Sequence, residues 1–251
     1  MPSNFGLLVE AELAYALNNK KVNQLSNNMR NLLRCMFGVL DEDKLVQAHQ
    51  LDGSSKTDVV VEYDDRYRNM SIKSGTAKNL HSENLSTFIE FLTKCGISKR
   101  TCDTICLFHY GDGTIDGSAK EERKSYRYVY GELEERIKYA NKELNRDIDF
   151  IFKAVERFVF MGSSPDYTPA DCIYFGDVDN GSVASKRQFI RFVEQRGYSY
   201  YDNLHIGPFL LRPEARYVGK EITNEEKRHL IVAYMPKLRE DVEYMSRRFN
   251  F

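Results

Sequence analysis

Asp58, Ser71 and Lys73 are the residues whose types and spacing point most directly to chemistry. Asp58 opens the β-branched run Val59-Val60-Val61, and after twelve intervening residues the chain reads Ser71-Ile72-Lys73. Ser71 and Lys73, two apart on a strand, project from one face. A carboxylate at the mouth of an apolar strand, facing a lysine across a hairpin, suits a site where a hard cation and a water meet an anionic substrate. The same residues also suit a plain cross-strand ion pair.

The elements that must position them follow from periodicity and turn chemistry. Residues 5–17 are dense in helix formers, with Asn4 placed as a cap and Asn18-Asn19 as a stop. A second helix is expected over 22–37, ending near Gly38, followed by a short strand at 45–49 and a turn at 52–55. Residues 58–63 and 69–73, joined by a polar link, read as a β-hairpin. A helix over 82–94 and a strand over 104–110 come next, with a Gly- and Asp-rich turn to Ser118. Further helices are expected over 130–144, 186–196 and from Lys237, and strands over 172–175 and 229–234.

Around the hairpin the wording is Lys56-Thr57-Asp58, then Ser71-Ile72-Lys73-Ser74-Gly75, with a glutamate-bearing helix before it and a further helix expected after it. This resembles the PD-(D/E)xK nuclease superfamily, in a variant with Ser at the second acidic position, over roughly residues 5–110. The resemblance implies an α/β fold, a restriction-endonuclease-like α-β-β-β-α-β core with a C-terminal α+β extension. With the loop at Pro165 to Pro169 as a lobe boundary, the expected domains are a nuclease-like core over 1–160 and a C-terminal lobe over 161–251 that would help to grip DNA. The resemblance further implies Mg²⁺ held by Asp58, with the Ile72 carbonyl as an extra ligand, and Lys73 orienting or activating the attacking water. The expected activity is an Mg²⁺-dependent DNA endonuclease of the type II restriction or another prokaryotic defence class. Its expected substrate is double-stranded DNA, which a homodimer would suit.

Ser71 departs from the superfamily pattern, because a neutral hydroxyl substitutes poorly for a carboxylate toward Mg²⁺. A second carboxylate must come from elsewhere. At 100° per residue Glu10 falls between Leu17 and Ala14, inside the apolar arc of the first helix, where an unpaired carboxylate is costly. Glu12, between Leu8 and Ala16, is the alternative. Glu62 shares a strand face with Asp58, and would either join the site or pair with Arg66 or Arg68. Glu83, beside His81, would be an auxiliary residue at a helix start or simply an acidic group favoured by the helix dipole.

Charge adds little. The whole chain has 36 Lys+Arg against 37 Asp+Glu. Residues 186–251 hold 13 against 9, leaving 23 against 28 for the rest, so the C-terminal quarter is the basic part. Lys186, Arg187 and Arg191, and separately Lys227 and Arg228, would contact phosphates or form an ordinary solvated face. The five cysteines form no CxxC pair and read as reduced thiols rather than a zinc site. His109 near Asp112 lacks a nucleophile motif and reads as packing. No phosphate loop, dinucleotide fingerprint, nucleophile elbow or zinc-protease pair is present. No apolar run is long enough to span a bilayer, and a cytoplasmic location is expected. Two rival readings remain: a nuclease-like fold that only binds nucleic acid, and an interaction protein in which Asp58 and Lys73 merely pair.

Overall fold

The structure is a computed structural model of the chain and describes residues 4–51, 55–119, 124–196, 203–214 and 225–248. The expected turn over 52–55 lies largely outside these residues. In chain order the first elements are α1 (Asn4–Leu17), β1 (Lys20–Lys21), α2 (Asn27–Phe37), β2 (Leu45–Gln50), β3 (Val59–Tyr63) and β4 (Arg66–Lys73). There follow β5 (Asn79–Asn84), α3 (Leu85–Lys94), α4 (Lys99–Tyr110), α5 (Tyr126–Leu144) and α6 (Ile148–Val155), the last running into a π-helical stretch over Glu156–Met161. The remainder is β6 (Cys172–Gly176), β7 (Gly181–Ser185), α7 (Lys186–Gln195), β8 (His205–Ile206), β9 (Phe209–Pro213), β10 (Leu230–Tyr234) and α8 (Leu238–Arg248). No helix of the described residues is long and apolar enough to cross a membrane.

The fold is mixed α/β, and the chain divides into two interleaved units. One comprises Met1–Lys78, Val155–Gln195 and Lys237–Phe251, the other Asn79–Ala154 and Arg196–Pro236. The expected division at residue 160 therefore gives way to a discontinuous one, because β4 and β6 are neighbours in one sheet while the chain between them builds most of the second unit.

The first unit carries a six-stranded sheet in the order β1-β2-β3-β4-β6-β7, antiparallel except where β4 and β6 run parallel. Strand alternation explains its core. Val46 and Ala48, Val59, Val61 and Tyr63, and Met70 and Ile72 are all buried, in one cluster with Val9, Leu13 and Leu17 of α1 and Met29, Leu32 and Leu33 of α2. Removing this apolar surface from water is the main force holding the helices to the sheet. Ser26 caps α2 by accepting from the Met29 N–H at 3.2 Å. At the other end, Arg66 donates to the Phe37 carbonyl at 3.1 Å and Arg68 to that of Met36 at 3.2 Å, placing cations on the last carbonyls of the helix.

The expected hairpin is present with a shorter link: Arg66–Arg68, read as part of a polar link, pair with β3, so β3 and β4 are joined by the two-residue turn Asp64-Asp65, both at positive φ, 54° and 57°. Two positive φ values in succession match the right-handed twist of the strands, and Asp tolerates that backbone better than most residues. The core order of helix, three antiparallel strands, helix and parallel strand is also present. Its closing pieces differ from the expected ones: they are the π-helical stretch and β6, in place of residues 82–94 and 104–110.

Those two segments belong to the second unit, with a four-stranded antiparallel sheet ordered β5-β10-β9-β8. Residues 104–110 are the end of helix α4, despite their β-branched character. Ser98 accepts from the Thr101 N–H, Gly111 closes the helix at φ 65°, and Thr101, Cys102, Ile105 and Phe108 are buried at helical spacing. The expected helix over 82–94 begins only at Leu85, because residues 79–84 pair with β10 as a strand. All five cysteines are free thiols, with burial pushing those of Cys35 and Cys106 up to about 11.

Support for β6 rests on Tyr174. Its hydroxyl accepts from Asn28 Nδ2 at 2.8 Å and donates to the Asp177 carbonyl at 2.5 Å, so the ring cannot retreat. A Cβ at Gly181 would collide with that hydroxyl. Gly181→Ala is therefore expected to lower the unfolding free energy by about 1–3 kcal/mol, read as a reduced urea midpoint at unchanged slope.

Candidate functional site

The site begins where β3 leaves β4. Val59 opposite Met70 is the last paired position of the hairpin, while Ser71, Ile72 and Lys73 run on, paired only with β6 on their other side. The Ile72 N–H would be an orphan donor on the open side. Asp58 takes it: its Oδ2 accepts from the Ile72 N–H at 2.5 Å and from the Ser71 hydroxyl at 3.3 Å. The Asp58 side chain thus takes the donor that lies one step beyond the Met70 carbonyl, the last that its own backbone N–H reaches. Because the N–H and C=O of one strand residue leave by the same edge, the Ile72 carbonyl also faces this opening.

The segment leading to Asp58 is held firmly. Lys56, buried, donates to the Phe158 carbonyl at 2.6 Å, near the end of the π-helical stretch, where carbonyls lack intrahelical partners. The Thr57 hydroxyl shares its proton between the carbonyls of Thr168 at 3.0 Å and Pro169 at 2.9 Å. The Asp58 N–H reaches the Met70 carbonyl and its own carbonyl accepts from the Leu51 N–H, both at 2.9 Å.

Glu10, Asp58 and Lys73 come together here. Glu10 is half-buried on α1, and its Oε2 accepts from Gln50 Nε2 at 3.0 Å. Burial and the neighbouring Asp58 charge raise the Glu10 carboxyl above the usual carboxylate range, opposed by the Gln50 hydrogen bond and the Lys73 ammonium. Electrostatic interaction of Glu10 with both Asp58 and Lys73 means that the three charges share one neighbourhood. Among the described residues, no donor takes Glu10 Oε1 or Asp58 Oδ1, and the Lys73 side chain makes no hydrogen bond or ion pair. Two carboxylate oxygens and an ammonium are thus left without a protein partner among the described residues, and Asp58 and Lys73 do not form the plain ion pair.

The other expected positions separate. Glu12 is exposed on α1. Glu62 stands opposite Tyr67 across the hairpin, where its carboxylate raises the Tyr67 pKa, while Arg66 and Arg68 turn to α2 instead. Ser71 is buried, its hydroxyl committed to Asp58. Glu83 stands on β5 of the second unit, its side chain buried beside His81 at 3.3 Å, rather than at a helix start. Lys186 pairs with Glu156, and with Arg187, Ile190, Arg191 and Glu194 it lines an open groove of about 520 Å³. In the second unit, Arg228 lies 3.8 Å from Asp112 and donates to the Gly117 carbonyl, and the Arg228 carbonyl meets His109 Nε2 at 2.9 Å. Arg228 and His109 are thus internal fastenings.

The donor set fits a hard divalent cation. Two carboxylates brought close by burial repel one another, and a cation between them removes that repulsion. Among the described residues no three His, Cys, Asp or Glu side chains are grouped to hold a metal. Gln50 is a partner that the sequence reading does not single out. Its signal is nonetheless there: with Val46 and Ala48 it occupies the core-facing side of β2, a polar residue at the end of an apolar stripe.

No family model matches the chain, and no curated protein matches it in sequence. Among solved structures it is similar to "restriction endonuclease MspI in complex with its cognate DNA", at 15% identity and a TM-score of 0.48, over 93% of each chain. A likeness at that level fixes neither activity nor substrate, and the site stands on its own geometry.

A carboxyl whose pKa is raised on folding binds its proton more tightly in the native state, so stability falls as pH rises through the ordinary carboxylate range and into the raised one. At neutral pH the metal-free protein carries that whole cost. Glu10→Gln should therefore raise the thermal midpoint in EDTA at neutral pH, and the difference should shrink as pH is lowered toward about 4.3, the unperturbed glutamate value. A lower midpoint for Glu10→Gln at neutral pH would contradict the electrostatic description.

Proposed function

We propose that this protein is a metal-dependent endonuclease that hydrolyses phosphodiester bonds in double-stranded DNA. The observation that carries this reading is the gathering of Glu10, Asp58 and Lys73 at the β3–β4 opening, with two carboxylate oxygens and one ammonium uncommitted. Glu10 and Asp58 would hold Mg²⁺, with the Ile72 carbonyl as a further oxygen. When bound, the ion supplies Lewis acidity and positive charge at the scissile phosphate.

The chain's own residues do the rest. Asp58 is fixed by Ile72 and Ser71, so its free oxygen is presented without reorganisation. Lys73 Nζ, with three donors, orients the attacking water and meets the negative charge that grows on the phosphate oxygens as the new P–O bond forms and the old one breaks. Arg187 and Arg191, exposed and half-buried on α7, contact backbone phosphates and set position rather than sequence. A type II restriction or other prokaryotic defence role, in the cytoplasm and as a homodimer that cuts both strands, is the setting this reading favours. One observation supports a second reading: Ser71 brings no charge to the second acidic position, as in a nuclease-like protein that binds nucleic acid without cutting it.

Plasmid incubation with Mg²⁺ and with EDTA separates the two, since metal-dependent cutting supports the enzyme and salt-sensitive binding without cutting supports the binder. Asp58→Asn and Lys73→Ala should each reduce cleavage by at least about a hundredfold, on the scale of losing one preorganised electrostatic group. They should differ in metal response: Asp58→Asn weakens Mg²⁺ activation, while Lys73→Ala leaves it intact or slightly stronger. Ser71→Glu should gain nothing, because the new carboxylate would be buried against Asp58 and the Ser71 hydrogen bond would be broken. Wild-type cleavage by Lys73→Ala, with contaminating nuclease excluded, would refute the mechanism.

The surface role has a separate readout. Reversing Arg187 and Arg191 together should weaken binding to all DNA sequences and lower the slope of log affinity against log salt by about 0.9 for each phosphate no longer neutralised. Lys186, already paired with Glu156, should contribute less than either arginine. An unchanged slope would make the α7 face ordinary solvated surface.

A further inference from the structure

Gln50 is the one polar residue on the core-facing stripe of β2, following the buried Val46 and Ala48. It meets the one carboxylate set in the apolar arc of α1. Two polar side chains on otherwise apolar facing surfaces find each other at 3.0 Å. The next residue, Leu51, donates its N–H to the Asp58 carbonyl at 2.9 Å. Consecutive residues at the end of one strand therefore fasten both halves of the acidic pair, Glu10 through its side chain and Asp58 through its backbone.

The chemistry of the fastening matters. Glu10 is repelled by Asp58 and is only half-buried, so a free glutamate side chain would relieve the repulsion by turning toward water. An arginine or lysine at position 50 would hold Glu10 but would neutralise it and occupy the place of a cation. An amide holds the carboxylate through one oxygen, leaves the other open, and adds no charge. A methionine in its place would fill the same space but offer no donor.

We propose that Gln50 is a positioning residue that keeps the Glu10 carboxylate turned toward Asp58, so that the two share one divalent cation, in compensation for the neutral Ser71. The inference rests on the metal-dependent reading of the site. It assigns Gln50 no contact with substrate; Gln50 acts through Glu10.

The probe is Mn²⁺ alone, titrated into the full chain at neutral pH and followed by the electron paramagnetic resonance signal of the free ion. Gln50→Met should weaken Mn²⁺ binding by about tenfold or more, the usual scale for losing a group that orients a metal ligand. In the Glu10→Gln background the same substitution should cost nothing further, because the group it positions has lost its charge. A purely structural role would instead lower the unfolding midpoint and give the same loss in both backgrounds. Gln50→Ala provides a second test should the methionine variant fold poorly. Wild-type Mn²⁺ affinity in folded Gln50→Met, or equal losses in the two backgrounds, overturns the proposal for Gln50 alone. If the wild-type chain binds no Mn²⁺, or if Glu10→Gln and Asp58→Asn leave its affinity unchanged, the metal reading itself fails and the proposal falls with it.

Discussion

The carboxylate of Asp58 stands in for a backbone acceptor. Where β3 parts from β4, the ladder loses a carbonyl and the Ile72 N–H loses a partner, and Asp58 Oδ2 takes that carbonyl's place. This one hydrogen bond lets the sheet open without leaving a buried donor unsatisfied, and it aims the charged group into the opening it creates. The tethering of Lys56 and Thr57 to residues 158–169 serves the same junction from behind. Fold and candidate chemistry are thus held by the same contacts, and a change that closed the ladder would remove the site.

The second constraint opposes the first. Burying Glu10 beside Asp58 is unfavourable in the absence of a cation, and α1 accepts it because Val9, Leu13, Ala14 and Leu17 supply enough apolar burial to hold the helix in place regardless. Stability is given up locally where two like charges are held near one another.

Much of this is legible in the sequence because it is local. The α1 arc narrows the first-helix candidates to Glu10 and Glu12, each set between apolar residues, and it is burial in the structure that leaves Glu12 in solvent. The β-branched run from Val59 and the short run ending at Lys73 give the hairpin, but the polar residues Arg66–Arg68 read as link when they are paired strand. What is not legible is non-local or competitive. Nothing near Cys172 announces that it pairs in parallel with β4, so residues 104–110, with their Thr and Ile, are the nearer candidate strand. Ser98 and Gly111 bracket a helix there, and those boundary signals outweigh β propensity once Phe108 and Ile105 are buried on one side. Glu83 is misplaced by sequence reasoning for a related reason, since a distant strand partner, β10, decides the state of residues 79–84.

The parallel pairing of β4 with β6 has a consequence for how the chain reaches its fold. Asn69 and Asp171, which hydrogen-bond beside that pairing, are 102 residues apart in sequence. The α1, α2 and β2–β4 elements close by short connections and can collapse early. The strand that covers the open edge of β4 arrives only after a long stretch of chain has been brought round. Loop closure over such a span costs little more in free energy than over half of it, about 0.6 kcal/mol for each doubling, but it slows the search. During that interval β4 presents an unpaired edge next to the uncovered acidic pair. The strand that waits for this pairing is the one that carries Lys73, so covering that edge and completing the candidate site depend on the same long-range closure.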